Sequence, residues 1–248
     1  MCGIYGYVGD QQAVDFLIDG LRRLEYRGYD SAGVAIMGPN GSINVVKRGK
    51  HKSSIKLLSK VLTKSENPGT LGIGHTRWAT HGAISEVNAH PHTDPENNVA
   101  IVHNGIVENY LEIKSALQSK GFNFASETDS ELIACLIADE IKQGKNLFES
   151  VMNLKNCIRG NSSIIAVSVT NPKEIIGIRL GNAGGIVIGL ENNAGYVSSD
   201  VSALLPNTKK ITYVENGELV RLSSGSYSIY DFMGKKIFSG VQPTGNLH

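Results

Sequence analysis

Residues 163–229 read as strand after strand, with Asn192-Asn193-Ala194-Gly195 marking one of the turns. That pattern limits the fold more than any other feature. Strands joined by hairpins and short irregular loops do not build the alternating βαβ order of a parallel sheet. The earlier part of the chain is mixed. Residues 2–8 read as a short strand, and Asp10 stands where it would cap a helix with Ala13, Phe16, Leu17, Leu21 and Leu24 along one face. Strand-like runs at 33–37 and 42–47 flank the turn Pro39-Asn40-Gly41, and 71–76 and 99–103 look like buried strands. Helical periodicity covers 109–120, 129–142 and 147–158, with Gly121 and Gly144 closing the first two. The expected class is α+β: two antiparallel sheets with helices outside them. No repeat or linker interrupts residues 2–230, which are expected to form one domain.

Composition excludes several kinds of function. A net charge of +1 over 248 residues gives no electrostatic case for nucleic acid. No apolar run approaches the roughly 18 residues of a membrane span. The start has neither a basic segment nor a signal-like apolar core, so the expected location is cytoplasmic. Cys2, Cys135 and Cys157 are sparse and odd in number, which fits a reducing compartment better than a disulfide framework or zinc site.

The chain opens Met1-Cys2-Gly3-Ile4. If Met1 is removed, Cys2 carries a thiol and a free α-amine on one Cα. Their ordinary pKa values, about 8.5 and about 8, suit proton transfer near neutral pH. The amine is then able to take the thiol proton and later protonate a leaving group. Position alone does not separate this role from an incidental second residue.

Four segments carry further chemistry. His75-Thr76-Arg77-Trp78-Ala79-Thr80-His81-Gly82 follows a strand and holds the single tryptophan. Arg77 suits a bidentate grip on a carboxylate, or a structural ion pair. His103-Asn104-Gly105-Ile106 follows another strand, and an Asn NH2 beside a Gly N–H makes a two-donor oxyanion hole or an ordinary Asn-Gly turn. In Ser126-Glu127-Thr128-Asp129-Ser130-Glu131, Asp129 suits a helix N-cap or an ammonium ligand. Arg27, in Leu24-Glu25-Tyr26-Arg27-Gly28, suits a fixed polar network. Five histidines between 75 and 103 invite a metal, but their spacing matches no helical ligand pattern, so they read as structural.

Together these segments resemble the glutaminase domain of class II glutamine amidotransferases, closest to the glucosamine-6-phosphate synthase branch. The matching text is CGI at the start, LRRLEYRGYDSAG at 21–33, HTRWATHG at 75–82, EVNAHPH at 86–92, HNGIVEN at 103–109 and SETDSE at 126–131. The resemblance implies an N-terminal-nucleophile hydrolase fold, an αββα four-layer sandwich. It implies hydrolysis of L-glutamine to glutamate and ammonia through a γ-glutamyl thioester on Cys2. Asn104 and Gly105 would hold the oxyanion, Arg77 the α-carboxylate and Asp129 the α-ammonium. Trp78, Thr80 and His81 match binding-loop positions, and Arg27 matches an arginine near the nucleophile. No cofactor or metal is implied. The implied partner is a sugar-phosphate isomerase domain or subunit, with fructose-6-phosphate as acceptor, and that half is absent from this sequence.

Two departures stand out. Gly181-Asn182-Ala183-Gly184-Gly185 replaces the family's Ser-Pro-containing turn. Residues 231–248 do not resemble the family's linker; from Met233 they are similar to the start of a tryptophanyl-tRNA synthetase, ending inside a TGNLH motif, and are expected to be poorly ordered. Alternative readings are the glutaminase domain of another class II amidotransferase, or an inactive glutamine-binding subunit if Met1 is retained.

Overall fold

The computed structural model describes residues 2–49, 54–63, 66–78 and 83–241. The strands are β1 (Gly3–Val8), β2 (Ser31–Met37), β3 (Ile43–Gly49), β4 (Leu71–Arg77), β5 (His92–Thr93), β6 (Val99–Gly105) and β7 (Ser162–Ser168). They continue with β8 (Glu174–Leu180), β9 (Ile186–Glu191), β10 (Ala194–Ser198), β11 (Ile211–Val214), β12 (Glu218–Ser223), β13 (Ser226–Asp231) and β14 (Lys236–Val241). The helices are α1 (Ala13–Arg23), α2 (Ser54–Val61), α3 (Tyr110–Ser119), α4 (Ser130–Lys142) and α5 (Leu147–Cys157).

Two seven-stranded antiparallel sheets result, in the orders β11-β9-β10-β1-β4-β2-β3 and β14-β13-β12-β8-β7-β6-β5. Side-chain alternation along each strand decides the layers. Ile4, Ala35 and Ile73 of the first sheet meet Ala100, Val102, Ile165 and Val220 of the second in a buried middle layer. On the other face of the first sheet, Tyr5 and Val34 pack with Leu17, Leu21 and Leu58 of α1 and α2. On the outer face of the second, Ile101, Ile164 and Ile178 pack with Leu117, Ile133 and Val151 of α3 to α5. The order of layers is αββα, as the resemblance implies.

Several local details differ from the sequence reading. The residue ahead of α1 is Gln12, not Asp10, and no side chain caps the helix. Gln12 Oε1 instead accepts from Gly69 N at 3.0 Å, tying the helix start to the loop before β4. Helix α2 is an addition; its short span buries only Ser54, Ile55 and Leu58, too few positions to set a visible period. The tail is ordered further than expected. Asp231 Oδ1 accepts from the N–H groups of Met233 and Lys235, both at 2.9 Å, and closes a turn. The chain then returns as β14, antiparallel to β13, with the rings of Phe238 and Tyr227 stacked 5.8 Å apart. Backbone pairing along a sheet edge needs little apolar patterning, so composition did not reveal it. Residues 242–248, with the TGNLH text, lie outside the described residues. Among the described residues no helix is long and apolar enough to cross a membrane.

Gly20 fixes how closely α1 approaches β1. A Cβ there would stand 2.4 Å from the ring of Tyr5, which is fully buried. Gly20→Ala is expected to lower unfolding free energy by up to about 2 kcal/mol, an overpacking cost of about 1–3 kcal/mol less the roughly 1 kcal/mol gained in helix propensity. Urea unfolding measures this; unchanged or raised stability would show that the helix shifts freely on the sheet.

Candidate active site

Strand β1 lies between β10 and β4, with Gly3 opposite Thr76. That register sets Cys2 beside the end of β4. The Trp78 N–H donates to Cys2 Sγ at 3.2 Å, and Sγ lies 3.6 Å from the Trp78 carbonyl oxygen. The carbonyl oxygen of Cys2 accepts from Arg27 Nε and from Asn104 Nδ2, each at 3.2 Å. Arg27 ends a 3-10 turn after α1 and pairs through Nη1 with Asp200 Oδ2 at 2.9 Å. Tyr26 OH donates to the same oxygen at 2.9 Å. One residue into β1, the Ile4 N–H donates to Ser199 Oγ at 2.9 Å.

Asn104 and Gly105 end β6 in the second sheet, so the middle layer brings them to Cys2. Gly105 has φ +139°, and a Cβ there would meet the Asn161 carbonyl oxygen at 2.1 Å. Only glycine fits that turn. Asn104 Oδ1 lies 3.1 Å from His75 Nε2. The Gly181–Gly185 loop passes close by; a Cβ on Gly184 would be 3.8 Å from Asn104 Nδ2, and Ser163 Oγ holds the Gly184 carbonyl at 2.9 Å.

Asp129 takes the N-cap position of α4, as its place in the sequence suggests, but does not cap the helix with its side chain. Its backbone is helical. Oδ2 instead accepts from the Val107 N–H at 2.7 Å, and Oδ1 from Ser130 Oγ at 3.3 Å. The carboxylate thereby braces the loop after Gly105. Arg77, at the end of β4, is 6% exposed; Nη1 reaches the Ala83 carbonyl at 3.4 Å. Burial lowers the proton affinity of its guanidinium, while Cys2, Asp30 and Asp129 act to raise it.

These groups converge on one cavity of about 460 Å³, lined by Cys2, Arg77, Trp78, Asn104, Gly105 and Asp129 together with Tyr110, Glu127, Thr128 and Ser130. A cation and an anion face a shared space that also holds a thiol and an amide donor. Arg27 reaches the backbone of Cys2 and is not among the lining residues. Thr80 and His81 lie outside the described residues.

Burial pushes the Cys2 thiol pKa up; the Trp78 N–H and the positive charges of Arg77 and Arg27 oppose the shift. Four of the histidines, His75, His90, His92 and His103, are buried. His75 and His90 stack 4.1 Å apart, and His90 meets His92 edge-on at 4.6 Å. His103 bridges Ser130 Oγ at 2.9 Å and Ser162 Oγ at 3.0 Å. Burial drives His75 down to about 3 and His103 to about 4, and His90 and His92 well below the usual range. All four rings are neutral at pH 7.

Sequence reading did not find Asp200 or Ser199, which lie nearly 200 residues from Cys2 and carry no motif. Glu127 was also missed. Its Oε2 accepts from Asn88 Nδ2 at 2.9 Å and from Ala83 N at 3.3 Å, joining two loops of the rim. The neighbouring motif texts at 86–92 and 126–131 were the available signal.

A family profile described as a glutamine amidotransferase domain matches residues 75–161. Glutamine–fructose-6-phosphate aminotransferase (isomerizing) of Thermus thermophilus is 44% identical over 237 residues, 96% of this chain and 38% of that protein. The protein of the same name from Aquifex aeolicus is 42% identical over 244 residues, 98% of this chain and 40% of its own length. A match that long leaves too few residues outside it to omit the β13–β14 hairpin. The chain thus spans well under half of these curated relatives. The Bacillus subtilis glutamine phosphoribosylpyrophosphate amidotransferase, solved with ADP and GMP, superposes with TM-score 0.78 over 93% of this chain and 49% of that one, at 24% identity, which speaks for the fold. What the chain presents is a glutamine amidotransferase domain homologous to part of the glutamine–fructose-6-phosphate aminotransferases.

Proposed function

We propose that this domain hydrolyses L-glutamine to L-glutamate and ammonia, with Cys2 as nucleophile. The observation that carries the reading is the single cavity that joins Cys2, the Asn104 amide, Arg77 and Asp129. Free glutamine has a carboxylate and an ammonium at one end and a carboxamide at the other. Arg77 and Asp129 suit the charged end, which leaves the carboxamide for Cys2.

The chemistry follows from the groups present. Cys2 Sγ attacks the side-chain carbonyl carbon, and its proton passes to the α-amine exposed by loss of Met1. Asn104 Nδ2 carries two hydrogens; one holds the Cys2 carbonyl and the other is free for the oxyanion, with the Gly105 N–H as second donor. Each such donor is worth roughly 3 kcal/mol of barrier. The amine returns the proton as the C–N bond breaks and ammonia leaves. Water then cleaves the γ-glutamyl thioester, releasing glutamate and restoring the thiol. Among the described residues the hydrogen-bond partners of Cys2 Sγ are backbone groups of Trp78, which favours its own α-amine as the base. The four buried imidazoles are engaged with one another, with serines, with Thr128 and with Asn104. The names of the relatives support fructose-6-phosphate as the acceptor of the ammonia, supplied by a sugar-phosphate isomerase unit. With Met1 retained, the domain would bind glutamine without turnover.

Intact mass spectrometry with 6-diazo-5-oxo-L-norleucine, an alkylating analogue of glutamine, tests this directly. The expected result is a chain lacking Met1 that gains one adduct on Cys2, blocked by excess glutamine and absent in Cys2→Ala. Ammonia release should fall on the acid side as the thiol–amine pair takes up its proton. An adduct that persists in Cys2→Ala, or a flat rate from pH 5 to 9, would contradict the mechanism.

The buried histidines set a second pH dependence. Their folded pKa values lie below the unfolded value near 6.5, so the stability they add is present above that pH and is lost as pH falls towards 4 and 3. Each contributes at most about 1.4 kcal/mol per pH unit. Urea unfolding at pH 6.5, 5.5 and 5.0, above the carboxylate range, should show falling stability with up to four protons taken up. Stability independent of pH in that window would show that the rings are not buried and neutral.

A further inference from the structure

Asn104 can lie either way round. Turning its carboxamide by half a turn exchanges donor and acceptor with almost no change of shape. The Cys2 carbonyl oxygen only accepts, so the end 3.2 Å from it is the NH2. Oδ1 is then the end 3.1 Å from His75 Nε2, and that nitrogen carries a hydrogen. His75 stands on β4 opposite Ile4, 1% exposed, stacked on His90. Among the described residues its buried Nδ1 has no hydrogen-bond partner of good geometry, although the His103 backbone also bears on the ring. A bare lone pair there costs less than an N–H with no acceptor, so the surroundings select the Nε2–H form.

We propose that His75 is a positioning residue: its Nε2–H grips Asn104 Oδ1 and thereby aims the Asn104 NH2 at Cys2 and at the oxygen that becomes negative during attack. The proposal rests on the glutaminase reading. Reversed, the carboxamide would set its oxygen against that oxyanion, turning a stabilising contact into a repulsive one. The histidine acts without touching substrate, and burial keeps it uncharged while it does so.

The test is a double-mutant cycle on ammonia release from glutamine, with wild type, His75→Leu, Asn104→Ala and the double variant, plus His75→Gln, whose Nε2 falls where the imidazole Nε2 was. His75→Leu is expected to lower kcat by about 10- to 100-fold with KM changed less than about threefold, and His75→Gln to recover most of the loss. In the Asn104→Ala background, His75→Leu should cost less than about twofold more, since its effect passes through Asn104. Additive losses, equal impairment of His75→Leu and His75→Gln, or a loss confined to KM would overturn the proposal. Nitrogen-15 NMR of the resting protein gives a readout free of activity and of variant folding. Hydrogen on His75 Nε2 supports the proposal, and hydrogen on Nδ1 overturns it. If the wild-type chain, with Met1 shown to be removed, releases no ammonia, the glutaminase reading fails instead.

Discussion

The carbonyl oxygen of Cys2 accepts from two side chains that arrive from different parts of the fold. Arg27 comes from the turn after α1 and is backed by Asp200 beyond β10; Asn104 comes from the end of β6 in the other sheet. These bonds join the two sheets at the first residue of the described chain. Behind that residue, every position of β1 is buried, and the strand is paired on both sides. A slip of one residue would turn Ile4 out of the middle layer and Tyr5 into it, so the register is strongly fixed. The thiol is therefore placed by the whole sandwich, although it stands at a chain end where order is usually lowest.

The second constraint is electrostatic. The cavity is lined by one cation, Arg77, and two carboxylates, Asp129 and Glu127, while the four imidazoles in and behind its wall stay neutral. A protonated ring there would repel both the Arg77 guanidinium and a substrate ammonium. Burial also raises the thiol pKa, so the sulfur is held protonated until a base acts. That combination favours a base carried by the nucleophile itself.

Much of this was legible in the sequence. Two antiparallel sheets with helices outside them follow from hairpin-rich strands and four amphipathic helices, whose faces appear where periodicity put them, and the resemblance supplied the αββα order. Cys2, Arg77, Trp78, Asn104, Gly105 and Asp129 share one cavity. What escaped depends on contacts between distant residues. Asp200 supports Arg27 across 173 positions of sequence, which no local pattern records. Asp129 looked like a cap because helix starts favour aspartate, but the Val107 N–H competes for it. The β14 edge strand has exposed apolar residues, including Phe238, and reads as an irregular tail until its backbone partner is known. The role of His75 is invisible in a histidine-rich stretch, since only geometry separates the ring that faces Asn104 from those that face serines, Thr128 or the His103 N–H.

The central claim is that Cys2 becomes acylated by glutamine. Mixing the Met1-free protein with glutamine and quenching in acid within milliseconds to seconds, followed by mass spectrometry of the N-terminal peptide, measures this. The account predicts a transient mass increase of one γ-glutamyl group on Cys2, removed by hydroxylamine and missing in Cys2→Ala. Ammonia released at full rate with no acylated Cys2 at any time would contradict it.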